Sequence, residues 1–181
     1  YCSWKIYNSR DIKLIDCFLI SLFGAIGFLS KYLFAYILLS IVFFFIYLIY
    51  IKKLKKFNFK YLIIVEIFLV LLVPHIIWLY ENDFVTFTYG LARTGLKSSD
   101  IFSHIKFPLI FLLKQVGILL PFLFLSWLLT NKNKITINFK DMKFVFLIFI
   151  NLLPIMLIFF TSLVFGSKIR TMWLTPFYLF F

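Results

Sequence analysis

The sequence predicts an all-α fold, a polytopic bundle of about five transmembrane helices with the start of a sixth. The chain is 64% hydrophobic with a mean hydropathy of +1.04, well above the roughly 45–50% apolar content of soluble domains. Its apolar residues form runs of 16 to 23 residues, the length that crosses a bilayer. The net charge of +12 comes from lysines gathered between these runs, where membrane lipids explain them and nucleic acid is not needed as a partner.

The first two spans are expected at residues 14–29 and 32–51. The first is slightly short, and it carries Gly24 and Gly27, which allow another helix to approach closely. Only two residues join the spans, and Lys31 is one of them. The sequence therefore predicts a tight turn that leaves the Lys31 side chain few directions to point.

Two lysine-rich segments set the orientation of the remaining spans. Residues 52–60 contain five lysines and residues 131–143 contain four, so both are expected in the cytoplasm by the positive-inside rule. The loop at residues 81–106, the longest in the chain, then lies at the opposite face. The third, fourth and fifth spans are expected at residues 61–80, 107–129 and 144–165.

The ends of the chain lack the features of a complete protein. It starts at Tyr1 without a methionine, and it ends in the apolar run 173–181, which is too short to span a bilayer. We therefore expect this chain to be part of a longer membrane protein. Cys2 and Cys17 have no metal-type spacing and are interpreted as small apolar residues, so neither a metal site nor a cofactor is predicted, and a divalent cation has no support.

Ionisable side chains inside the spans are functional candidates, because each costs several kcal/mol unless it is paired or hydrated. Asp16, which can reach water or Lys13, and Glu66 lie near the cytoplasmic ends and are interpreted as structural. His75 and Lys114 lie deeper, roughly 8 and 10 Å below the outer ends of their expected spans at 1.5 Å per residue, and could line one cavity that opens outward. The alternative is a lysine that extends to the interface and a histidine bonded to backbone groups near a proline.

Cations at the outer face are the candidates for binding phosphate, since Arg binds it in a bidentate manner and Lys acts as a point charge. The cations expected to bind phosphate are Lys31, Arg93, Lys168 and Arg170, and Tyr32, which follows Lys31, is expected to belong to the same site. Polar and aromatic residues of the outer loop and the preceding helix end are candidates for contact with a substrate: His75, Trp78, Asn82, Asp83 and Tyr89. The alternatives are ordinary interfacial anchoring for Trp and Tyr, and a helix cap or turn for the Asn-Asp pair.

Three motifs resemble those of a known enzyme family. Residues 24–32 read GAIGFLSKY, residues 74–89 read PHIIWLYENDFVTFTY, and residues 166–176 read GSKIRTMWLTP. In this order and spacing they are similar to the bacterial family 39 glycosyltransferases, membrane enzymes related to protein O-mannosyltransferases and to the aminoarabinose transferases that modify the lipid A of lipopolysaccharide.

The resemblance implies the membrane domain of a glycosyltransferase C fold in the bacterial inner membrane, with the loop at 81–106 in the periplasm. It implies a polyprenyl-phosphate sugar as donor and a lipid, glycan or protein as acceptor in the cell envelope. Lys31 matches the family lysine that would contact the donor phosphate, and Tyr32 follows it. The catalytic carboxylate of the family lies after the first helix, a part expected outside this chain, so no catalytic residue is assigned.

Two other interpretations remain open from the residues. In a transporter or lipid flippase, His75, Lys114 and Glu66 would form an ion path, with charges paired at the midplane and a helix broken at Pro121 or Pro154. A transferase predicts cations at the outer face and a mostly apolar interior, the pattern this sequence shows more clearly. A degenerate remnant without activity is the third interpretation.

Overall fold

The computed structural model describes residues 2–8, 13–51, 59–94, 101–130 and 139–170. These residues form seven α-helices and one short 3-10 turn, and no strand lies among them. The all-helical prediction is therefore confirmed for this part of the chain. The helices are α1 (Cys2–Asn8), α2 (Leu14–Ser30), α3 (Ala35–Tyr50), α4 (Lys60–Glu81), α5 (Val85–Thr94), α6 (Ser103–Thr130) and α7 (Met142–Phe165).

Four helical segments of the described chain are long and apolar enough to cross a membrane, and they mark a multi-pass membrane protein. They are Tyr32–Tyr50, Lys60–Glu81, Ser103–Leu129 and Met142–Phe165. Helix α2 is also apolar but has 17 residues, so the first expected span is shorter than the other four. The expected start of a sixth span at residues 173–181 lies outside the described residues.

Contacts divide the chain into two units, Tyr1–Thr86 and Phe87–Phe181. In the first unit, α2 packs against α4. The Ser21 hydroxyl lies 2.8 Å from the Cys17 carbonyl of its own helix and 2.7 Å from the Ile64 carbonyl of α4, so its single proton is shared between the two helices. A Cβ atom at Gly24 would lie 3.6 Å from the Phe68 ring of α4, an ordinary contact distance.

Gly27 occupies a tighter place than Gly24. A Cβ atom there would lie 2.6 Å from the nearest ring carbon of Phe34, which ends the 3-10 turn Tyr32–Phe34 between α2 and α3. The Phe34 N–H donates to the Lys31 carbonyl at 2.8 Å and closes this turn. The absence of a side chain at Gly27 therefore leaves room for the tight connection expected from the sequence.

Asp16 is buried near the start of α2, with 2% of its surface exposed. Its carboxylate accepts a hydrogen bond from Lys5 Nζ of α1 at 2.5 Å and forms an ion pair with it. The partner is thus Lys5 rather than Lys13, which was expected from its closeness in sequence. The structural interpretation of Asp16 gains a specific role, because the pair joins α1 to α2.

The expected outer loop at residues 81–106 contains a helix that the sequence analysis did not predict. Helix α5 follows α4 after a short reversal in which Asp83 and Phe84 adopt positive φ angles of 49° and 53°. The Phe84 N–H donates to the Leu79 carbonyl at 2.9 Å and closes the end of α4. Helix α6 begins at Ser103, within residues 101–106, which the helix-start pattern Ser98-Ser99-Asp100 predicts to lead as a helix into the fourth span.

In the second unit, α6 and α7 pack against each other. His104 near the start of α6 places Nδ1 2.9 Å from the carbonyl oxygen of Leu163 near the end of α7, so the two helices are antiparallel. Phe111 and Ile158 are almost fully buried. Both helices run through prolines, Pro121 and Pro154, without an interruption, so the broken helix expected of a transporter is not found here.

The end of α7 turns the chain back toward other residues of the second unit. Gly166 has a φ of 58°, in the left-handed region that glycine adopts readily. The Ser162 hydroxyl then donates to the Ser167 carbonyl at 2.7 Å, and the Lys168 N–H donates to the Thr94 carbonyl of α5 at 2.9 Å. These bonds fix the segment that carries Lys168 and Arg170.

Candidate functional site

The site residues predicted in the first unit collect around the hydroxyl of Tyr32. This oxygen lies 2.8 Å from His75 Nε2 of α4 and 2.9 Å from Thr86 Oγ1 of α5. The His75 ring also stacks on Trp78, with centroids 5.9 Å apart and planes 14° apart. Phe28 packs beside Tyr32 at 5.4 Å. Sequence spacing did not predict the contact between Tyr32 and His75, because these residues are 43 positions apart.

Lys31 precedes this cluster and has different surroundings. Its backbone is extended and its N–H donates to the Gly27 carbonyl at 3.1 Å, so it ends α2. The side chain is partly buried, and burial lowers the pKa of the Lys31 ammonium below its usual value. Within the described part of the chain its ammonium has no hydrogen-bond or ion-pair partner, so it is a cation available to an anionic ligand.

Asn82 and Asp83 form the turn between α4 and α5. The Asn82 side-chain amide donates to the Trp78 carbonyl at 2.8 Å, which covers an exposed end of α4. Asp83 has the positive φ that short polar residues tolerate better than most. The structure therefore shows the turn geometry that was one of the two alternatives for this pair, and contact with a substrate stays a prediction.

Tyr89 and Arg93 lie on α5 within the second unit. The Arg93 guanidinium carbon is 5.0 Å from the centre of the Tyr89 ring, which is a cation–π geometry. Tyr89 and Arg93 are four residues apart, so they share one face of the helix. Both side chains are exposed. The two predicted site residues are therefore in contact with each other, and contact of either one with a ligand stays a prediction.

A cavity of about 200 Å³ in the second unit collects three cations. Lys114 of α6 and Lys168 and Arg170 after α7 line it, together with Phe107, Ile110, Phe111 and Ile169. No acidic residue is among these lining residues, and neither Lys114 nor Arg170 forms an ion pair with another described residue. Such a set of charges attracts an anion and repels a cation.

Lys114 is the member of this cavity that the sequence analysis did not assign to phosphate. A cavity shared with His75 was one of two alternatives for it; the structure shows Lys114 beside Lys168 and Arg170, and the pairing with His75 stays a prediction. A signal was present, because Phe107, Phe111 and Lys114 recur at helical spacing on one face of α6. The sequence alone does not show that the segment after α7 folds against this face of α6.

A polar side chain is buried one turn beyond the cavity residue Phe111. Gln115 is 3% exposed, and both its amide nitrogen and its amide oxygen lack a partner among the described residues. Within the described residues, His, Cys, Asp and Glu form no group of three that could hold a metal ion. The expectation that no cofactor is needed stays a prediction.

The predicted site residues therefore fall into two groups. Lys31, Tyr32, His75, Trp78, Asn82 and Asp83 belong to the first unit, and Tyr89, Arg93, Lys168 and Arg170 to the second. Comparisons of the chain with known protein families, with curated proteins and with solved structures find no match.

Proposed function

We propose that this chain is part of an integral-membrane glycosyltransferase that moves a sugar from a polyprenyl-phosphate donor to a lipid, glycan or protein acceptor. The reaction would take place at the periplasmic face of a bacterial inner membrane. The observation that carries this proposal is the cavity in which Lys114, Lys168 and Arg170 meet without an acidic residue. A phosphate on a membrane-embedded chain is the ligand that such a cavity suits best.

The reaction needs positively charged groups that stabilise the negative charge on the leaving phosphate. The acceptor hydroxyl oxygen attacks the anomeric carbon, the bond from that carbon to the phosphate oxygen breaks, and the hydroxyl proton passes to a base. The bonding electrons leave with the phosphate, whose charge rises in the transition state. Lys168, Arg170 and Lys114 would stabilise this charge by electrostatic attraction.

The size and the walls of the cavity agree with a phosphate on an isoprenoid. At about 200 Å³ it is smaller than the roughly 300–1,000 Å³ of pockets that enclose a whole small molecule. It would therefore hold the phosphate while the sugar and the long chain extend from it. Phe107, Ile110 and Phe111 supply apolar surface next to the cations, suited to the first isoprene units.

The test uses membranes that carry the full-length protein and measures transfer of labelled sugar from polyprenyl-phosphate donors. Lys114→Gln and Arg170→Lys should each lower the transfer rate by about 10- to 100-fold, because the first removes a charge and the second a bidentate contact. Lys106→Gln is the matched control. Lys106 also lies on α6 and is exposed, but it does not line the cavity, so its replacement should leave transfer unchanged.

Binding of farnesyl phosphate to the purified full chain, measured by thermal shift, separates the possible failures. Loss of both binding and transfer in Lys114→Gln supports the proposal. Transfer that is unaffected by Lys114→Gln and Arg170→Lys excludes the cavity as the donor site. Farnesyl phosphate binding without transfer from any donor favours the lipid flippase over the transferase.

A further inference from the structure

A polar side chain of the second unit is buried where α6 packs against α7. Gln115 is 3% exposed, and in the described part of the chain neither its amide nitrogen nor its amide oxygen has a hydrogen-bond partner. An amide that is removed from water without a partner destabilises the fold, and the hydrocarbon layer of a membrane supplies no replacement. The Gln115 amide therefore needs a polar ligand.

The packing of the two helices brings a second amide to the level of Gln115. His104 Nδ1 lies 2.9 Å from the Leu163 carbonyl oxygen, and the helices are antiparallel. Eleven residues further along α6 and eleven residues back along α7, the same rise per residue sets Gln115 level with Leu152. Leu152 is 45% exposed, whereas its neighbour Asn151 is 6% exposed. Asn151 is therefore the buried side chain at this level of α7.

A backbone group adds to the two amides. Pro154 is fully buried on α7, and a proline has no N–H. The Ile150 carbonyl, four residues earlier, therefore lacks the donor that an α-helix normally supplies. Ile150 directly precedes Asn151, so a carbonyl and an amide lie side by side on α7. The adjoining residues Phe111 and Ile155 are buried and apolar, so they offer these groups no hydrogen bond.

We propose that Gln115, Asn151 and the Ile150 carbonyl hold a water molecule between α6 and α7. A water can accept a hydrogen bond from the Gln115 amide nitrogen and donate to the Ile150 carbonyl and to the Asn151 amide oxygen. A buried water typically makes about three hydrogen bonds, the number that these groups supply. An amide has two donor hydrogens and an oxygen that accepts twice, so a bond made elsewhere leaves Asn151 able to bind this water.

The cavity of the second unit gives water a short path to this site. Its lining residues on α6 end at Lys114, which directly precedes Gln115 in the sequence. Water that hydrates the three cations of the cavity therefore lies about one residue from the buried amide along the helix. The proposed water site lies beyond the proposed phosphate site and does not depend on sugar transfer.

The first test is X-ray radiolysis of the full chain in nanodiscs, in which a bound water yields hydroxyl radicals that oxidise the side chains beside it. Ile155 lies one turn after Asn151 and is 7% exposed, and it should be oxidised above Ile37. Ile37 of α3 is the matched control, because it is the same residue type and is 8% exposed. Gln115→Leu should lower the oxidation of Ile155 to the level of Ile37. Equal oxidation of the two isoleucines in the unchanged protein would overturn the proposal.

Thermal unfolding tests whether the two amides share the water. Gln115→Leu and Asn151→Leu should each lower the Tm, because each leaves the water and the remaining amide with one partner fewer. The double variant should regain part of this loss, since replacing both partners removes the unpaired groups. Ser162→Ala is the matched control, because Ser162 is also buried on α7 but eleven residues from Asn151. Its effect should add to that of Gln115→Leu.

The sign of the change at Gln115 separates the outcomes. If the Gln115 amide has no ligand, Gln115→Leu should raise the Tm, since it removes an unpaired buried group. A raised Tm, or additive effects of Gln115→Leu and Asn151→Leu, would overturn the proposal. If circular dichroism shows that a leucine variant does not fold, the oxidation of Ile155 against Ile37 in the unchanged protein decides alone.

Discussion

Lys31 is a cation whose charge is disfavoured by its surroundings. Burial lowers the pKa of its ammonium, so the folded chain binds this proton more weakly than the unfolded chain does. The folded state therefore gains stability as the pH rises from the folded pKa to the unfolded pKa, near 10.4. Below the folded pKa that gain is absent, since both states are protonated.

The first prediction follows from this sign. Lys31→Met should be more stable than the unchanged protein at pH 7, and the difference should shrink as the pH approaches 10.4. The measurement is the Tm of both proteins in the same nanodiscs at pH 7, 9 and 10. A difference that is constant across this range would show that packing and not charge causes it. An anionic ligand at Lys31 should raise the Tm of the unchanged protein only.

Gly27 is the second residue with a specific requirement. Because a Cβ atom there would lie 2.6 Å from the Phe34 ring, Gly27→Ala should destabilise the protein by about 1–3 kcal/mol. Gly24→Ala is the matched control, since its Cβ would meet neighbours at 3.5 Å or more. It should be neutral or stabilising by up to about 1 kcal/mol. Thermal unfolding distinguishes the two, and Phe34→Ala should relieve the defect of Gly27→Ala.

Asp83 allows its turn role and a role in substrate contact to be separated. Its φ of 49° is a conformation that glycine adopts without strain. Asp83→Gly should therefore keep the stability of the protein or raise it by up to about 1 kcal/mol. The measurement is the Tm together with the sugar-transfer rate. Unchanged transfer would leave the turn as the function of Asp83, and lost transfer at full stability would show that the carboxylate acts on the substrate.

At the scale of elements, the hydroxyl of Tyr32 connects the start of the long segment Tyr32–Tyr50 to α4 and α5. Tyr32→Phe removes this hydroxyl and leaves His75 Nε2 and Thr86 Oγ1 without their shared partner. The expected cost is about 1–3 kcal/mol. Tyr80→Phe is the control, because Tyr80 is 77% exposed and should tolerate the change. Equal Tm values for the two variants would contradict the prediction.

The long helices could be predicted from the sequence, and the short helix α5 could not. A run of twenty apolar residues has few other options in a membrane, since its backbone must bond to itself. Helix α5 has the sequence VTFTYGLART, in which β-branched residues and a glycine weaken the local preference for helix. It follows the reversal at Asp83 and Phe84, and its Thr86 bonds to Tyr32. The bond to Tyr32 joins residues 54 positions apart, so the local sequence of α5 does not reveal it.

The same distinction applies to the candidate site. The sequence identified Lys168 and Arg170 as cations next to a span, because charge is visible in the residues themselves. Lys114 lines the same cavity as Lys168 and Arg170 because of the turn at Gly166 and the hydrogen bond from Lys168 to Thr94. Neither can be read from hydropathy. The contact of His75 with Tyr32 likewise joins residues 43 positions apart.

At the scale of the whole molecule, the alternation of lysine-rich and lysine-poor connections predicts how the chain crosses the membrane. Single cysteines at Asn58 and Asn133, in a variant without Cys2 and Cys17, should react with a membrane-impermeant maleimide only from the cytoplasmic side. A cysteine at Lys97 should react only from the periplasmic side. Labelling of intact and of opened cells provides the measurement. A cysteine at 58 that reacts from outside would reverse the proposed orientation and place the reaction in the cytoplasm.

The bond between Lys5 and Asp16 also bears on how the chain is made. The two residues are eleven positions apart, so the ribosome completes the lysine before it completes the aspartate. The acid of α2 therefore has its counter-charge as soon as it emerges, without help from α4 or any later helix. An unpaired aspartate would oppose transfer of this short helix from the translocon into lipid. Helix α1 thus supplies the charge that lets α2 enter the bilayer before the later helices are made.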